Sequence, residues 1–177
     1  MHAPPEGRLT AHTAAEAYLF VSLTYCPHCR RRPVRVAGEL QCVAPGSDEW
    51  SLAVECAGCG QADKLTFTLA PLLGVGSPRA INPTGTRSKL IDPAGWLALY
   101  QSTTDRAAVQ SDRSEARALS LEAARFLDEA LKFYEPGAEL PDAACFLSEQ
   151  SASRIREHPE SFQRSRIAAL RDRLPRR

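Results

Sequence analysis

Two Cys-x-x-Cys pairs, Cys26-Pro27-His28-Cys29 and Cys56-Ala57-Gly58-Cys59, stand in the first third of the chain. No other feature limits so strongly what this chain can fold into. Two such pairs on neighbouring hairpins are the pattern of four thiolates around one tetrahedral metal ion, and the metal replaces much of the hydrophobic core that a small sheet lacks. Four sulfurs at about 2.3 Å close the coordination shell of a Zn²⁺ ion and leave no position for water or substrate. The expected cofactor is therefore one structural Zn²⁺ held by Cys26, Cys29, Cys56 and Cys59. A thioredoxin-like redox site needs one nucleophilic pair in a βαβ context, which two pairs at this spacing do not resemble. His28 lies inside the first pair and would become a ligand only by displacing a cysteine.

The segments around the pairs supply the sheet. From Ala17 to Tyr25, Leu19, Val21, Leu23 and Tyr25 alternate with Tyr18, Phe20, Ser22 and Thr24, which predicts a strand leading into the first pair. Pro33 to Val43 predicts a second strand, Ala44-Pro45-Gly46-Ser47-Asp48 a turn, Trp50 to Glu55 a third strand, and Lys64 to Leu69 a fourth. Strand, knuckle, hairpin, knuckle, strand is the layout of an antiparallel zinc ribbon. The 26 residues between Cys29 and Cys56 make a longer hairpin than usual. Gly58 and Gly60 are expected to give the second knuckle the positive φ it needs, and in the first knuckle Arg30 stands where glycine is usual.

From Ala70 to Ile91, Pro71, Gly74, Gly76, Pro78, Pro83 and Gly85 interrupt any period, and the stretch reads as a linker or extended arm. Gly74-Val75-Gly76 lacks the lysine and the strand-to-helix setting of a phosphate loop. Asp92-Pro93 then predicts a helix start, with Asp as cap and Pro in the first turn. Thr103-Thr104-Asp105 either ends that helix or forms its wet face. Asp112 to Tyr134 predicts a long amphipathic helix with Leu119, Ala123, Phe126, Leu127, Ala130, Leu131 and Tyr134 on one stripe. Arg125, Asp128 and Lys132 stand opposite, with Asp128 and Lys132 placed for an i,i+4 ion pair. Two further helices are expected, over Ser148 to Glu157 and Pro159 to Arg173, the second turning Phe162, Ile167, Leu170 and Leu174 inward. Cys42 and Cys145 sit among apolar neighbours and are expected to pack as small buried hydrophobes.

The fold expected from these segments is α+β, an N-terminal antiparallel zinc ribbon followed by a small C-terminal helical bundle. Its parts are a flexible N-terminus over 1–15, the ribbon over 16–70, a Pro/Gly-rich linker over 71–91 and a helical domain over 92–177. A hydrophobic fraction of 44% with 24% charged residues excludes a disordered chain. Met1 to Leu23 has no basic start followed by a long apolar run, so a cytoplasmic location without a membrane span is expected. A net charge of +1 gives no global attraction to nucleic acid, and any such binding must be local. Two basic groups exist: Arg30, Arg31, Arg32 and Arg35 after the first knuckle, and eight arginines from Arg154 to Arg177 against three acids.

The chain resembles a bacterial family found in actinobacterial and myxobacterial genomes, which joins a double Cys-x-x-Cys zinc ribbon to a helical domain and has no established function. The residues that carry the likeness are Ala17-Tyr18-Leu19, the two knuckles, Ser88-Lys89-Leu90-Ile91-Asp92-Pro93 with Trp96, Glu129-Ala130-Leu131-Lys132-Phe133, and Phe146-Leu147-Ser148-Glu149 with Pro159 and Phe162. The resemblance implies the same two-part fold and brings no catalytic residues.

No catalytic constellation stands out in the sequence, so the expected function is non-enzymatic: a protein-binding module that serves as an adaptor, an accessory subunit or an immunity-type antagonist. Another protein is the expected partner. The alternative is a nucleic-acid-binding regulator that uses Arg30, Arg31, Arg32 and Arg35.

Overall fold

Thr13 sets where the first helix begins. Its side chain accepts a hydrogen bond from the Glu16 N–H at 3.1 Å, and the Glu16 carboxylate reaches back to the His12 N–H. This reciprocal cap starts helix α1, Ala14–Leu23, where the alternation of Ala17 to Tyr25 predicted a strand. Thr13, Glu16, Ala17, Phe20, Val21 and Thr24 are buried, a stripe of helical period that the alternation hides because half of its members are polar. The computed structural model describes residues 9–31, 33–69 and 81–176, in two units, Met1–Leu90 and Ile91–Arg177.

In the first unit, β1 (Leu9–Ala11), β2 (Val34–Val36), β3 (Gln41–Cys42), β4 (Glu49–Cys56) and β5 (Ala62–Leu69) form one sheet in the order β1-β5-β4-β2, with β3 also on β4. The sheet is mixed. β4 pairs antiparallel with β2, β3 and β5, but β1 lies parallel to β5, with Leu9 opposite Phe67. Residues 9–15, expected to be a flexible terminus, thus supply an edge strand and the first turn of α1.

The single strand expected over Pro33 to Val43 is two, for a reason visible in the register. Val36 faces Val54 and Gln41 faces Ser51, so residues 37–40 stand opposite only Leu52 and Ala53 and the ladder breaks. The Ala44 to Asp48 turn forms as expected, with Gly46 at φ 78° and the Ser47 N–H donating to the Ala44 carbonyl. Along β4, Leu52, Val54 and Cys56 fall on the buried face by the period of two. Phe20 of α1 meets Phe67 of β5 edge-on, with centroids 6.1 Å apart, and both rings are buried. Each such ring contributes about 2 to 3 kcal/mol of burial.

Residues 71–80 of the expected linker lie outside the described residues, as do Gly74 and Gly76. The rest of it, 81–91, is packed: Ile81, Asn82, Ser88, Leu90 and Ile91 are buried, and the Thr13 hydroxyl donates to the Ile81 carbonyl at 2.5 Å.

In the second unit, α2 (Pro93–Ala108) begins where Asp92-Pro93 placed it, with the Asp92 carboxylate accepting from the Gly95 N–H at 2.8 Å. Its other oxygen accepts from the Leu147 N–H at 3.1 Å, tying the helix start to a segment 55 residues away. The helix runs through Thr103 and Thr104, whose hydroxyl donates to the Tyr100 carbonyl. α3 (Arg113–Leu131) is capped by Asp112, whose carboxyl is held below its usual range by hydrogen bonds from the Ser114 hydroxyl and the Glu115 and Ser114 amides. α3 packs on α2 through Trp96 stacked on Phe126, centroids 6.0 Å apart, and its Phe126, Leu127 and Ala130 are buried.

The expected Asp128–Lys132 pair gives way to two others. Lys132 pairs with Glu129 at 2.8 Å, and Asp128 with Arg171 at 2.6 Å, because helix α5 (Arg164–Asp172) lies beside α3 and brings Arg171 within reach. α4 is Glu149–Glu157, capped by Ser148. The helix expected over Pro159 to Arg173 is divided into a 3-10 turn, Pro159–Phe162, and α5, Arg164–Asp172. The Phe162 carbonyl accepts from the Tyr134 hydroxyl at 2.6 Å, and Gln163 is extended. Gln163 gives α5 no side-chain cap; the Glu139 carboxylate supplies one from a distance, accepting from the Ser165 amide and hydroxyl. Phe162 and Ile167 are buried and Leu170 and Leu174 half-buried.

Candidate metal centre

The sheet brings the two knuckles together by register. β2 pairs with β4 so that Val34 lies opposite Cys56. A bridge between Tyr25 and Pro33 closes the first knuckle, and the Glu55–Ala62 pair closes the second. Each knuckle is the tip of its own tight hairpin, and the two tips lie side by side.

Their backbones match. The Arg30 N–H donates to the Cys26 carbonyl at 2.9 Å, and the Gly60 N–H to the Cys56 carbonyl at 3.0 Å. Both residues are left-handed, Arg30 at φ 54° and Gly60 at φ 69°. Of the two glycines of the second knuckle Gly60 alone is left-handed, and the Gly58 amide donates to the Cys56 sulfur at 3.3 Å, beside the Cys59 amide at 3.4 Å. These are the donors that offset negative charge on a bound thiolate.

The four Sγ atoms lie within 4.8 Å of one another, with Cys26 and Cys59 at 3.7 Å and Cys29 and Cys56 at 3.6 Å. Sulfurs at about 2.3 Å from a tetrahedral centre stand roughly 3.8 Å apart, so the set fits a metal ion. Disulfide sulfurs would stand at about 2.0 Å, and all six described cysteines are free. The four cysteines expected as ligands are thus brought together at metal-binding distance. Cys26 and Cys56 are buried on the core side, while Cys29 is half-buried and Cys59 exposed.

The thiols influence one another. The Cys59 and Gly58 amides stabilise the Cys56 thiolate and draw its pKa down to about 6, against burial. For Cys59 the Gln61 amide pulls the same way, but hydrogen bonds with Cys56, Cys26 and Cys29, together with burial, push it up to about 11. Cys56 is therefore the more readily ionised of the two. A cation in the centre takes the place of the thiol protons, which makes metal binding pH-dependent.

The other sequence-singled residues fall outside this cluster. His28 is exposed, away from the buried side of its knuckle. Arg30 and Arg31 are exposed, Arg35 pairs with Glu55 at 3.3 Å, and Arg32 lies outside the described residues. In the C-terminal basic group, Arg156 pairs with Glu149, Arg171 with Asp128 and Arg176 with Asp172. Cys145 is buried as expected, but Cys42 is exposed. β3 is a two-residue edge strand, so the Cys42 side chain lies over the turn, near the Ala44 and Ser47 carbonyls, rather than in the core.

Reading the sequence alone missed a second polar assembly. Glu16, His12 and Thr86 are linked by hydrogen bonds, with Thr84 and Asn82 beyond them. The Thr13-Ala14-Ala15-Glu16 capping pattern was an available signal for the helix start, though the alternation that follows was read as a strand; nothing local links either residue to Thr86, 74 positions from His12.

Taken together, the fold and site define a mixed α/β protein with a four-cysteine cluster able to hold a metal ion. Among the described residues no helix is long and apolar enough to cross a membrane. In comparisons with known proteins, no family model, no curated protein and no solved structure matches the chain.

Proposed function

We propose that the protein is a binding module whose four-cysteine cluster holds one structural Zn²⁺ and whose work is done through its surfaces. The observation that carries the metal role is the closed sulfur tetrahedron: with four protein ligands at tetrahedral spacing, the ion has no open position for a substrate. The metal then fixes the register of two hairpins and stabilises a sheet that would otherwise rest on few buried side chains.

A partner protein fits the exposed features of the first unit. β2 and β3 both pair with β4 alone, Val36 of β2 and Val43 just after β3 are exposed, and so is Tyr18, whose hydroxyl accepts from the Leu40 N–H. An edge of this kind invites pairing with another chain. The stripe of α3 contributes less to this reading than its sequence suggests, since Phe126, Leu127 and Ala130 are spent on the core of the second unit. An adaptor, an accessory subunit or an immunity-type antagonist all fit a protein built this way.

The nucleic-acid reading draws less support, because Arg35 is already paired with Glu55. Native mass spectrometry of the protein purified gently from its host tests both. One zinc with a stoichiometric protein partner is the expected result. Co-purifying nucleic acid whose binding weakens with salt would replace it by the regulator reading, and a metal-bound monomer with neither would overturn both.

A further inference from the structure

The four sulfurs between the knuckles differ sharply in their access to solvent. Cys26 and Cys56 are each 1% exposed and Cys29 is half-buried, whereas Cys59 is exposed at the end of its turn. Across the gap between the hairpins Cys59 meets Cys26 at 3.7 Å, and Cys29 meets Cys56 at 3.6 Å. The surface sulfur thus has a buried sulfur of the other hairpin directly behind it.

We infer that Cys59 is an oxidation site for hydrogen peroxide, with Cys26 as its resolving partner, so that a disulfide across the two hairpins replaces the metal. The inference rests on the proposed function only for the identity of the ion that is released.

Three features carry it. A metal-bound cysteine is held as thiolate, the form that attacks peroxide, and oxidation follows thiolate character and exposure together. Hydrogen peroxide is small and uncharged, so it reaches a surface sulfur that a bulky charged reagent leaves alone. Next, the partner is selected by the backbone. Within its own knuckle Cys59 would have to be resolved by Cys56, but the Cys56 sulfur accepts from the Gly58 and Cys59 amides at 3.3 and 3.4 Å. Those donors stabilise its charge and lower its nucleophilicity, which leaves Cys26 as the better nucleophile for Cys59. Finally, each hairpin is closed by its own backbone, the first by the Tyr25–Pro33 bridge and the second by the Glu55–Ala62 pair. A Cys26–Cys59 bond joins the same two tips that the ion joined, so the sheet keeps its register and a thiol reductant restores the cluster.

In the first step the Cys59 thiolate attacks one oxygen of peroxide: an S–O bond forms, the O–O bond breaks and hydroxide leaves. Cys59 is oxidised by two electrons to the sulfenic acid and the peroxide is reduced. The Cys26 thiolate then attacks the Cys59 sulfur, forming the S–S bond and expelling a second hydroxide. Both hydroxides take protons from water or buffer. Two thiolates remain, too few to retain Zn²⁺.

The test uses the full-length zinc-loaded protein carrying Cys42→Ser, which removes the other exposed thiol, treated with an equimolar amount of hydrogen peroxide. A chromogenic indicator reads zinc release. Trypsin cuts after Arg30 and Arg35 and so separates the knuckles, and non-reducing peptide mass spectrometry reads the linkage. Loss of zinc in step with a Cys26–Cys59 link is expected, and dithiothreitol with added zinc should reverse both. Dimedone present during the treatment should mark Cys59 and suppress the link. A first disulfide within one knuckle or between Cys29 and Cys56, or a dimedone adduct on another ligand cysteine, would overturn the inference. So would a cluster that stays reduced and zinc-bound under peroxide that oxidises Cys42 of the wild type. A protein that takes up no zinc counts against the structural ion instead, and the same peptide map on the reduced metal-free chain then decides whether Cys59 and Cys26 pair.

Discussion

Arg30 and Gly60 occupy equivalent places in the two knuckles with opposite side-chain consequences. Both sit at positive φ, 54° and 69°, and both amides close the turn onto a cysteine carbonyl. For an L-residue the left-handed region costs about 1 to 2 kcal/mol, whereas glycine enters it freely but loses about 0.5 to 1 kcal/mol more conformational freedom on folding. Arg30→Gly should therefore stabilise the metal-bound first unit by about 0.5 to 1 kcal/mol net. Gly60→Ala should destabilise it by a similar amount, and through the backbone alone, since no described residue lies within 4 Å of the added Cβ. Chelator competition monitored with a chromogenic zinc indicator reads the difference: Arg30→Gly tightens apparent zinc affinity about 2- to 5-fold and Gly60→Ala weakens it by a similar factor. Thermal release of the metal should shift in the same two directions. A loss of zinc affinity in Arg30→Gly would refute the reasoning, because it would mean that the exposed arginine makes a contact worth more than the strain it causes.

Thiol accessibility separates the six cysteines: in the zinc-loaded protein a charged alkylating reagent should modify Cys42 fast and Cys145 hardly at all, while Cys26, Cys29, Cys56 and Cys59 become reactive only after chelation, as peptide mass spectrometry would show. Thr13→Ala should cost about 1 to 2 kcal/mol in denaturant unfolding, since the hydroxyl both caps α1 and donates to the Ile81 carbonyl. Tyr134→Phe should cost about 1 to 2 kcal/mol by leaving the Phe162 carbonyl without its hydroxyl donor. Burial, helped by the Glu139 charge, pushes the Tyr134 phenol well above its ordinary value of 10.0. The neutral phenol is the form the fold favours, so its contribution is complete below about pH 10 and is lost as pH climbs toward the folded-state value. Ultraviolet titration of phenolate should then show one tyrosine ionising late or only on unfolding, a feature missing from Tyr134→Phe.

The second unit was legible where local chemistry and periodicity agree. Asp92-Pro93, Asp112 and Ser148 each mark a helix start that the side-chain cap then makes. What the sequence hid there are partnerships set by tertiary position: Asp128 with Arg171 rather than Lys132, and Glu139 capping a helix that begins 25 residues later. In the first unit the strands β4 and β5 follow their alternation, yet α1 was read as a strand. Its buried stripe contains Thr13, Glu16 and Thr24, polar side chains whose burial depends on the hydrogen bonds they make, so hydrophobic period alone cannot find it. The Thr13 to Glu16 capping pattern was the available signal.

The two polar assemblies differ in legibility for a physical reason. A metal site of four cysteines is written locally: each Cys-x-x-Cys turn fixes two ligands by its own backbone, and only one strand pairing, Val34 with Cys56, is needed to bring the pairs together. The line from Glu16 through His12 to Thr86 has no such local unit beyond the helix cap. Its hydroxyl arrives because Ile81 and Leu90 are buried and the Ile81 carbonyl is bonded by Thr13, so that the segment carrying Thr86 is laid against the start of α1. Thr13→Ala is for that reason informative about both. It should loosen the hold on the 81–90 segment, read as faster amide hydrogen exchange there, while leaving the metal affinity of the knuckles, whose turns share no hydrogen bond with Thr13 among the described residues, close to that of the wild type.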